Sequence, residues 1–574
     1  MKWELTIGLY VGLMALLLAA ATQHFNTEIV FWLLYIAIVS VLSIIVLKSG
    51  KYRLLSIVLF DVFLFLLYTL QYPAAYQVDR DTVFETQYAE ILADTGVWDA
   101  TAGTGYAENY YGHNPAVHFV LAVVSLSTGI STPWLAKIHL MILFRIAFLL
   151  LAFRIMQILA KNDNIAYASL LVYLISPRLR ILYMSRRLMA ALMILFAIYC
   201  LLQYREKRHR AFTVLFAVFS LLVIVSDHTL ALVYGIFLFG LAAFYWLLLP
   251  MGKAVYGEAA KFSMYFLAYA IFWTIWSMNG VTVMSDMAYL QGILNLVVGA
   301  TSATPSHYTA LQLSLMYISQ IILVFVSIGY AAMLFLKKKL LKDRFLAYFT
   351  LFSLPLFGAS LYLMSTEWVV LSNVLIWFCL IPVSYLTGLF VCRLKRVTLA
   401  MAALMLIFCG GILLNYQPHV LFKTANPMLV ELPEYKNDRI IESAEFLKSY
   451  ANEGAAVVAD RSLYDIYSGY YGFTVTPQDV ARLVLQSDAE ELEKRFLTRP
   501  VYFGAYKHTS EYLIPEFIAV NRDLLRNASY NIRVSQESLE KFEKTKMLKK
   551  IFDNGKIVIY ENVGGKLAGF TNLY

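Results

Sequence analysis

The hydrophobic pattern of this chain is a series of long apolar segments separated by short polar ones. An α-helix needs about 17–25 predominantly apolar residues to cross a bilayer. Segments of this kind predict thirteen transmembrane helices, near residues 4–22, 28–47, 53–70, 133–160, 164–182, 188–204, 211–226, 229–249, 261–279, 307–336, 345–364, 367–391 and 397–415. The run at 115–130 is shorter and contains His118, so we expect a helix in the membrane interface there rather than a span.

The basic residues support this topology. With a cytoplasmic N-terminus, thirteen spans place most basic clusters, such as 205–210 and 337–344, in inside loops, as the positive-inside rule requires. A crossing at 115–130 would turn the strongest clusters outward. The exceptions are four arginines that the count places at the outer face: Arg178, Arg180, Arg186 and Arg187. We therefore expect a multi-pass protein of the cell membrane whose C-terminal segment is extracytoplasmic.

The longest polar interval among these spans is the predicted outer loop 71–115. Within it, Thr82-x-x-Glu85 has the spacing of a capping box, and Gly96 supplies a stop signal. The pattern predicts an amphipathic helix lying along the membrane surface, with one apolar face formed by Phe84, Tyr88, Ile91 and Leu92.

Beyond residue 419 the composition changes to that of a soluble domain. We predict two domains: a transmembrane domain at 1–419, which includes the outer loop, and a small α/β domain at 420–574. In the second domain the pattern predicts helices at 440–450, 477–486 and 489–497, and strands at 455–459, 501–506 and 556–560.

Composition narrows the class of protein. The chain has 574 residues, 60% of them hydrophobic and 15% charged, and its mean hydropathy is +0.64. These values exclude a soluble globular protein and indicate a polytopic α-helical membrane protein. The net charge of +9 lies mainly in short inside loops, so it does not indicate nucleic-acid binding. The four cysteines have no paired or metal-ligand spacing.

Carboxylates, imidazoles and guanidiniums gather at the predicted outer face. This mixture suits a reaction between a lipid-linked phosphate and a hydroxyl acceptor, because a carboxylate serves as general base or cation ligand and arginines neutralise the phosphate. Asp79 and Asp81 are the catalytic candidates, and the same pair would hold a divalent cation, Mg²⁺ or Mn²⁺. The substrate-binding candidates are Glu85, His113, Arg178, Arg180, Arg186, Arg187, Asp227 and His228.

Each candidate also has a structural interpretation. Asp79 or Asp81 would cap the loop helix, and His113 beside Asn114-Pro115 would be a turn residue. Asp227 and His228 would form a polar helix end. The outer arginines would extend towards lipid headgroups. The residues alone leave these alternatives open.

The loop resembles a known family. It opens with acidic residues and a short helix that ends at Gly96-Val-Trp98, and it continues to Tyr110-Tyr-Gly-His-Asn-Pro115. This pattern is similar to the GT-C superfamily of membrane glycosyltransferases, which includes oligosaccharyltransferases, protein O-mannosyltransferases and lipid A aminoarabinose transferases. The resemblance implies many spans, an outer C-terminal domain and a polyprenyl-phosphate-linked sugar donor. It also implies that Asp81 is the catalytic or metal-binding carboxylate, with Asp79 as the competing candidate.

Two departures leave the acceptor open. The tail lacks the Trp-Trp-Asp motif of oligosaccharyltransferases, and the loop lacks the Asp-Glu dipeptide typical of O-mannosyltransferases. The acceptor is accordingly a lipid, a glycan or a protein. A flippase for lipid-linked oligosaccharides is an alternative function, although transporters usually place ionisable residues near the bilayer midplane and show internal repeats. A polysaccharide polymerase or ligase would act on the same kinds of substrate.

Overall fold

The computed structural model describes residues 3–22, 28–48, 52–69, 80–98, 113–174, 185–248, 253–277, 310–338, 340, 343–363 and 369–394, and, in the C-terminal segment, 438–452, 455–469, 471, 473–476, 478–499, 501–505, 509–522 and 535–564. The chain divides into two compact units. The membrane unit consists of residues 1–71 and 139–424, and the loop–tail unit consists of residues 72–138 and 425–574. Residues 72–138 thus group with the C-terminal segment, and the predicted division into domains at 1–419 and 420–574 stays a prediction. The predicted boundary at 419/420 lies outside the described residues.

Apolar segments form the helices of the membrane unit. They are α1 (Trp3–Thr22), α2 (Glu28–Lys48), α3 (Arg53–Thr69), α6 (Thr132–Ala160, whose first residues belong to the other unit), α7 (Asp163–Leu174), α8 (Arg186–Lys207), α9 (Arg210–Ser226), α10 (His228–Leu247), α11 (Lys253–Ser277), α12 (Ala310–Leu336), α13 (Arg344–Leu363) and α14 (Val369–Val391). Among the described residues, three helices are long and apolar enough to cross a membrane, namely α6, α8 and α10. The count of thirteen spans stays a prediction, and its last span, 397–415, lies outside the described residues.

Close packing in the membrane unit depends on small residues. A Cβ built on Gly388 of α14 would lie 2.7 Å from the backbone nitrogen of Ser169 in α7. Only glycine therefore permits this approach of two helices, as is usual for packing within membranes. Elsewhere, the Tyr348 hydroxyl of α13 donates to the Phe237 carbonyl of α10 at 2.6 Å.

The loop–tail unit contains two helices from the outer loop region and an α/β layer from the C-terminal segment. The loop helices are α4 (Arg80–Thr95) and α5 (Ala116–Thr128). The C-terminal helices are α15 (Asp438–Tyr450), α16 (Arg461–Gly469), α17 (Gln478–Gln486) and α18 (Gln536–Lys544), together with a helical segment at Ala489–Glu491 and Leu492–Leu497. The strands are β1 (Ala456–Ala459), β2 (Thr474–Val475), β3 (Val501–Ala505), β4 (Thr509–Leu513), β5 (Phe517–Asn521), β6 (Leu548–Asp553) and β7 (Ile557–Asn562).

Five of these strands form one sheet in the order β2-β1-β5-β7-β6. The first three strands are parallel, and β7 and β6 are antiparallel to their neighbours. Val458 and Ile518 pack with α17 on one face, whereas Val457 and Ala519 pack with α15 and α16 on the other. The helices and strands predicted between 440 and 560 are confirmed, with bounds shifted by one or two residues.

A buried ion pair joins two helices of the membrane unit. Arg145 of α6 donates from Nε to Asp61 Oδ2 at 3.0 Å and from Nη2 to Oδ1 at 2.5 Å. The two side chains are 3% and 1% exposed, and Phe65 lies beneath the guanidinium at 5.5 Å. A bidentate arginine–carboxylate pair fixes both distance and orientation. It therefore sets how α3 packs against α6.

We expect Arg145→Ala to lower the free energy of unfolding by about 3–5 kcal/mol, because it leaves the Asp61 carboxylate buried without its guanidinium. The midpoint of thermal unfolding of the purified protein measures this loss. Arg154→Ala is the matched control on the same helix, since Arg154 is exposed and donates to the Gln157 side chain at 2.9 Å. The free energy of unfolding of this control variant should differ from that of the wild type by no more than about 0.5 kcal/mol. Equal midpoints for the two variants would contradict the role of the pair.

Candidate functional site

The helix α4 organises the candidate site in the loop–tail unit. It begins at Arg80 and ends before Gly96, whose φ of 69° ends the helix in the left-handed region, as predicted. Phe84 and Tyr88 are buried, which confirms the predicted apolar face. The capping box is wrong, because Thr82 lies inside the first turn rather than before it.

The side chain of Glu85 is enclosed between α4 and α5. Its Oε2 lies 2.6 Å from Nε2 of His118, and both side chains are 0% exposed. The ring of Tyr88 stacks on the imidazole with centroids 5.2 Å apart. One proton must lie in this contact, because a carboxylate oxygen and a ring nitrogen without it would repel each other. The carboxylate that the capping box assigned to the helix start thus holds α5 instead.

The C-terminal half of α4 has a second polar contact. Glu90 Oε1 accepts from the Thr132 hydroxyl at 2.8 Å, and the same hydroxyl lies 3.4 Å from the Thr86 carbonyl. Burial raises the pKa of Glu90; the Thr132 hydrogen bond lowers it, and the Asp94 charge raises it further. This carboxyl group consequently takes up a proton at a higher pH than an exposed glutamate.

An aromatic contact joins α4 to the C-terminal segment. The ring of Phe84 meets the ring of Tyr464 in α16 edge-on, with centroids 6.4 Å apart. Tyr464 lies on a helix, Arg461–Gly469, that is not among the helices predicted from the sequence. The loop helix is therefore supported by both α5 and α16.

The predicted catalytic acids lie at the start of α4. Asp81 is in the first turn, where the aligned N–H groups favour a negative charge. Asp79 lies outside the described residues. In the described part of the chain, no group of three or more His, Cys, Asp and Glu side chains has the arrangement of a metal site. Carboxylate oxygens are the ligand type that Mg²⁺ prefers, but this pair alone defines no site.

His113 precedes α5 and is half-buried. Burial lowers the pKa of its imidazole below the usual value, so the ring is neutral at pH 7. A neutral imidazole offers one donor and one acceptor. This is compatible with its predicted contact to a substrate and with the turn interpretation.

A second cluster lies in the membrane unit, where α8 and α10 begin. Asp227 Oδ2 lies 3.4 Å from Nε of Arg186 and 4.0 Å from Nε of Arg187. The other carboxylate oxygen of Asp227 caps α10 by accepting from the Leu230 N–H at 2.8 Å. Arg186 and Asp227 are almost fully buried, and Arg187 is 23% exposed. Three predicted residues are thus brought together around one carboxylate.

The remaining predicted substrate-binding residues are His228, Arg178 and Arg180. His228 follows Asp227 in the chain and is buried. Arg178 and Arg180 lie outside the described residues. The clusters around α4 and around Asp227 belong to different compact units.

Three buried charged or ionisable groups are not among the site residues predicted from the sequence. His118 was noted only as a polar residue in an apolar run, and Asp61 was absorbed into a predicted span. Lys137 is fully buried on a π-helical turn, Leu135–His139, with its Nζ 5.8 Å from the centroid of the Trp134 ring. The available signal was an ionisable residue inside an apolar segment, which usually marks a buried partner or a functional group.

We expect Glu85 and His118 to be energetically coupled. A double-mutant cycle of Glu85→Gln and His118→Gln, measured by thermal unfolding, should give a coupling energy of about 1–3 kcal/mol, because the pair is excluded from water. The matched control is the part-buried contact between Glu90 of the same helix and Thr132 of α6, with Glu90→Gln and Thr132→Val, and its coupling should be smaller. A coupling near zero for Glu85 and His118 would refute their role in holding α4.

Comparisons with known proteins identify the fold. No protein-family model and no curated protein sequence matches this chain. Among solved structures, the apo oligosaccharyltransferase of Archaeoglobus fulgidus matches with a TM-score of 0.54 and 10% identity, over 90% of this chain and 75% of the other. The oligosaccharyltransferase AglB of the same organism, in complex with an inhibitory peptide and a dolichol-phosphate, matches with a TM-score of 0.54 and 11% identity, over 89% and 74%.

ArnT from Cupriavidus metallidurans in the apo state matches with a TM-score of 0.49 and 11% identity, over 86% of this chain and 94% of the other. The structural neighbours are members of the GT-C superfamily. The fold expected from the loop pattern is therefore confirmed by the two oligosaccharyltransferase structures, and at this level of identity the likeness concerns the fold.

Proposed function

We propose that this chain is a membrane glycosyltransferase that moves a sugar from a polyprenyl-phosphate donor to a lipid, glycan or protein acceptor at the outer membrane face. The observation that carries the proposal is the fold shared with AglB over about nine tenths of the chain. AglB has been solved with a dolichol-phosphate and an inhibitory peptide, so that protein binds a lipid phosphate and a polypeptide. We infer that this chain likewise binds a lipid phosphate, which carries the sugar, together with a second ligand, which accepts it.

The reaction needs a base for the acceptor and cations for the leaving group. We assign the base to Asp81, which would take the proton of the acceptor hydroxyl while that oxygen forms a bond to the anomeric carbon of the sugar. The bond between this carbon and the phosphate oxygen breaks, and the polyprenyl phosphate leaves with the electron pair. Arg186 and Arg187 would offset its negative charge. Glu85 holds α4 against α5 through His118, and its predicted contact with substrate stays a prediction.

Asp79 supports Asp81 in this proposal, as a neighbouring acid or as a second ligand for Mg²⁺ or Mn²⁺. A bound cation would neutralise phosphate charge. Because the described residues supply no set of three ligands, no step is assigned to a cation. His113 and His228 are proposed to contact substrate through neutral or charged imidazole N–H groups, and Arg178 and Arg180 are proposed to act on the donor phosphate.

The transfer reaction distinguishes this function from its alternatives. The purified chain should transfer radiolabel from at least one member of a panel of polyprenyl-phosphate-linked sugars to an added acceptor. A flippase would move the labelled lipid across vesicles without forming a glycosidic product. A polymerase or ligase would produce chains or joined oligosaccharides rather than single-sugar additions. Transport without transfer would overturn the proposal.

We expect Asp81→Asn to lower the transfer rate by about 10²–10⁴-fold, because an amide cannot accept the acceptor's proton. The fold should be nearly unaffected, since a first-turn charge is worth only about 0.3–1 kcal/mol. Asp94→Asn is the matched control, with the same chemical change at the exposed end of the same helix. The measurement is the turnover of folded protein, verified by thermal unfolding. Wild-type turnover in the Asp81 variant would return this residue to a structural role.

We expect Arg187→Gln to raise the apparent KM for the donor by about 10-fold or more, because a charge-assisted hydrogen bond is worth about 1.5–3 kcal/mol. Arg186→Gln should act in the same direction, although its burial makes it the less tolerant position. Arg210→Gln, an exposed arginine at the start of α9, is the control. Donor titrations with each variant measure the effect. An unchanged KM in both variants would confine the two arginines to supporting Asp227.

A further inference from the structure

A pocket at the opposite end of α8 from the Arg186–Asp227 cluster has no part in the proposed reaction. It lies between the last turns of α8 and the first half of α11, within the membrane unit. Its apolar lining consists of Leu201, Phe262 and Tyr265. Its polar lining consists of Tyr204, Arg205, Arg208, Glu258 and Lys261. Apolar and cationic side chains thus share one pocket at a helix end.

The charges around this pocket favour an anion. Lys261 Nζ donates to the Tyr204 hydroxyl at 2.8 Å, and Nζ lies 5.3 Å from the centroid of the Tyr204 ring. The Arg208 guanidinium lies 5.9 Å from the same centroid. The carboxylate of Glu258 is 3.9 Å from Arg208, at the limit of an ion pair. Two cations therefore lie beside one tyrosine, and Glu258, the one carboxylate among the lining residues, is 3.9 Å from Arg208.

The third cation of the pocket is already neutralised. Arg205 donates to Asp343 at 3.1 Å and lies over the ring of Phe345. It thus contributes shape and hydrogen bonds rather than excess charge. The positive charge available to a ligand comes from Arg208 and Lys261.

The depth of the pocket matches a membrane interface. α8 is one of the three helices long and apolar enough to span, and its buried apolar face gives way to Tyr204 and Arg205 at the pocket. Nearby, the exposed ring of Trp246 donates to Ser263 at 2.8 Å and packs edge-on against Tyr256. Tryptophan and tyrosine concentrate at the headgroup level of bilayers. At this depth, a ligand with a charged headgroup and an apolar tail would contact both the polar and the apolar residues that line the pocket.

The backbone of Arg208 is unusual for its residue type. Arg208 ends α8 with φ 56° and ψ 19°, a left-handed conformation that normally favours glycine or asparagine. Lys161 and Lys338 have the same conformation, with φ of 51° and 54°, at the ends of other helices. All three are basic and so complement the negative helix C-terminus. Arg208 lines the pocket, whereas Lys161 is not among its lining residues and provides a control with the same charge and helix-end conformation.

We propose that this pocket binds the headgroup phosphate of an anionic phospholipid, whose acyl chains lie in the bilayer beside the half-buried Tyr265. Arg208 and Lys261 bind the phosphate, and the Tyr204 hydroxyl, which Lys261 already orients, donates to it. Basic pockets between transmembrane helices are suited to such headgroups. The proposal is independent of the glycosyltransferase function, because it needs no catalytic residue.

Binding is measured on the full purified chain in neutral detergent, with a phosphatidylglycerol that carries a fluorescent acyl chain. The wild type should bind it at least about 10-fold more tightly than the matching phosphatidylcholine. The double variant Arg208→Gln, Lys261→Gln should lose this preference. The variant Lys161→Gln should retain it, since Lys161 has the same charge and helix-end conformation without the pocket.

Three results would overturn the proposal: equal binding of the two lipids, an unchanged preference in the double variant, or displacement of the lipid by water-soluble glycerol phosphate at the lipid's own concentration. The last would assign the pocket to a soluble phosphate. If the double variant fails to fold, Arg208→Gly replaces it, because glycine is better suited to the left-handed position. That variant should melt no earlier than wild type and still show a weakened preference for phosphatidylglycerol.

Discussion

A buried charge must meet its partner inside the protein, and the contact between Glu85 and His118 shows this constraint at the candidate site. In the low dielectric of the interior, a carboxylate without a proton donor would oppose folding. The pair therefore fixes α4 against α5, and the edge-on contact of Phe84 with Tyr464 fixes the same helix against α16. Phe84 and Glu85 lie about one helical turn after Asp81. Their contacts therefore also fix the position of Asp81 at the start of α4.

The membrane unit obeys the same constraint with arginine as the cation. The Asp61 carboxylate accepts two hydrogen bonds from the Arg145 guanidinium. The geometry of this ion pair therefore specifies the packing of α3 on α6, in addition to the apolar area that the two helices bury. Asp227 has two tasks, since one oxygen caps α10 while the other lies near Arg186. A phosphate that approached this cluster would compete with Asp227 for the guanidiniums. Such competition permits binding that is reversible, as a leaving group requires.

The C-terminal segment shows which local structure the sequence encodes well. Helices with a continuous apolar stripe, such as Asp438–Tyr450, and the fully apolar strand Ala456–Ala459 follow from periodicity. The helix Arg461–Gly469 is not among the predicted helices, because its serines, aspartate and glycine are residue types that are also typical of turns. The strand β2 has only two residues, too few to show the alternation of apolar and polar side chains that predicts a strand. It exists because it pairs with β1, across about twenty residues of chain.

By itself the sequence determined the membrane class, the position of the loop helix, its apolar face and its end at Gly96, since each depends on neighbours within a few turns. It also indicated the superfamily whose fold the structure has. Only the tertiary structure decided the partners of the charged residues. Glu85 meets a histidine 33 positions away, and Asp61 meets an arginine 84 positions away. Periodicity specifies which face of a helix is buried, but the packing of distant segments specifies what that face meets.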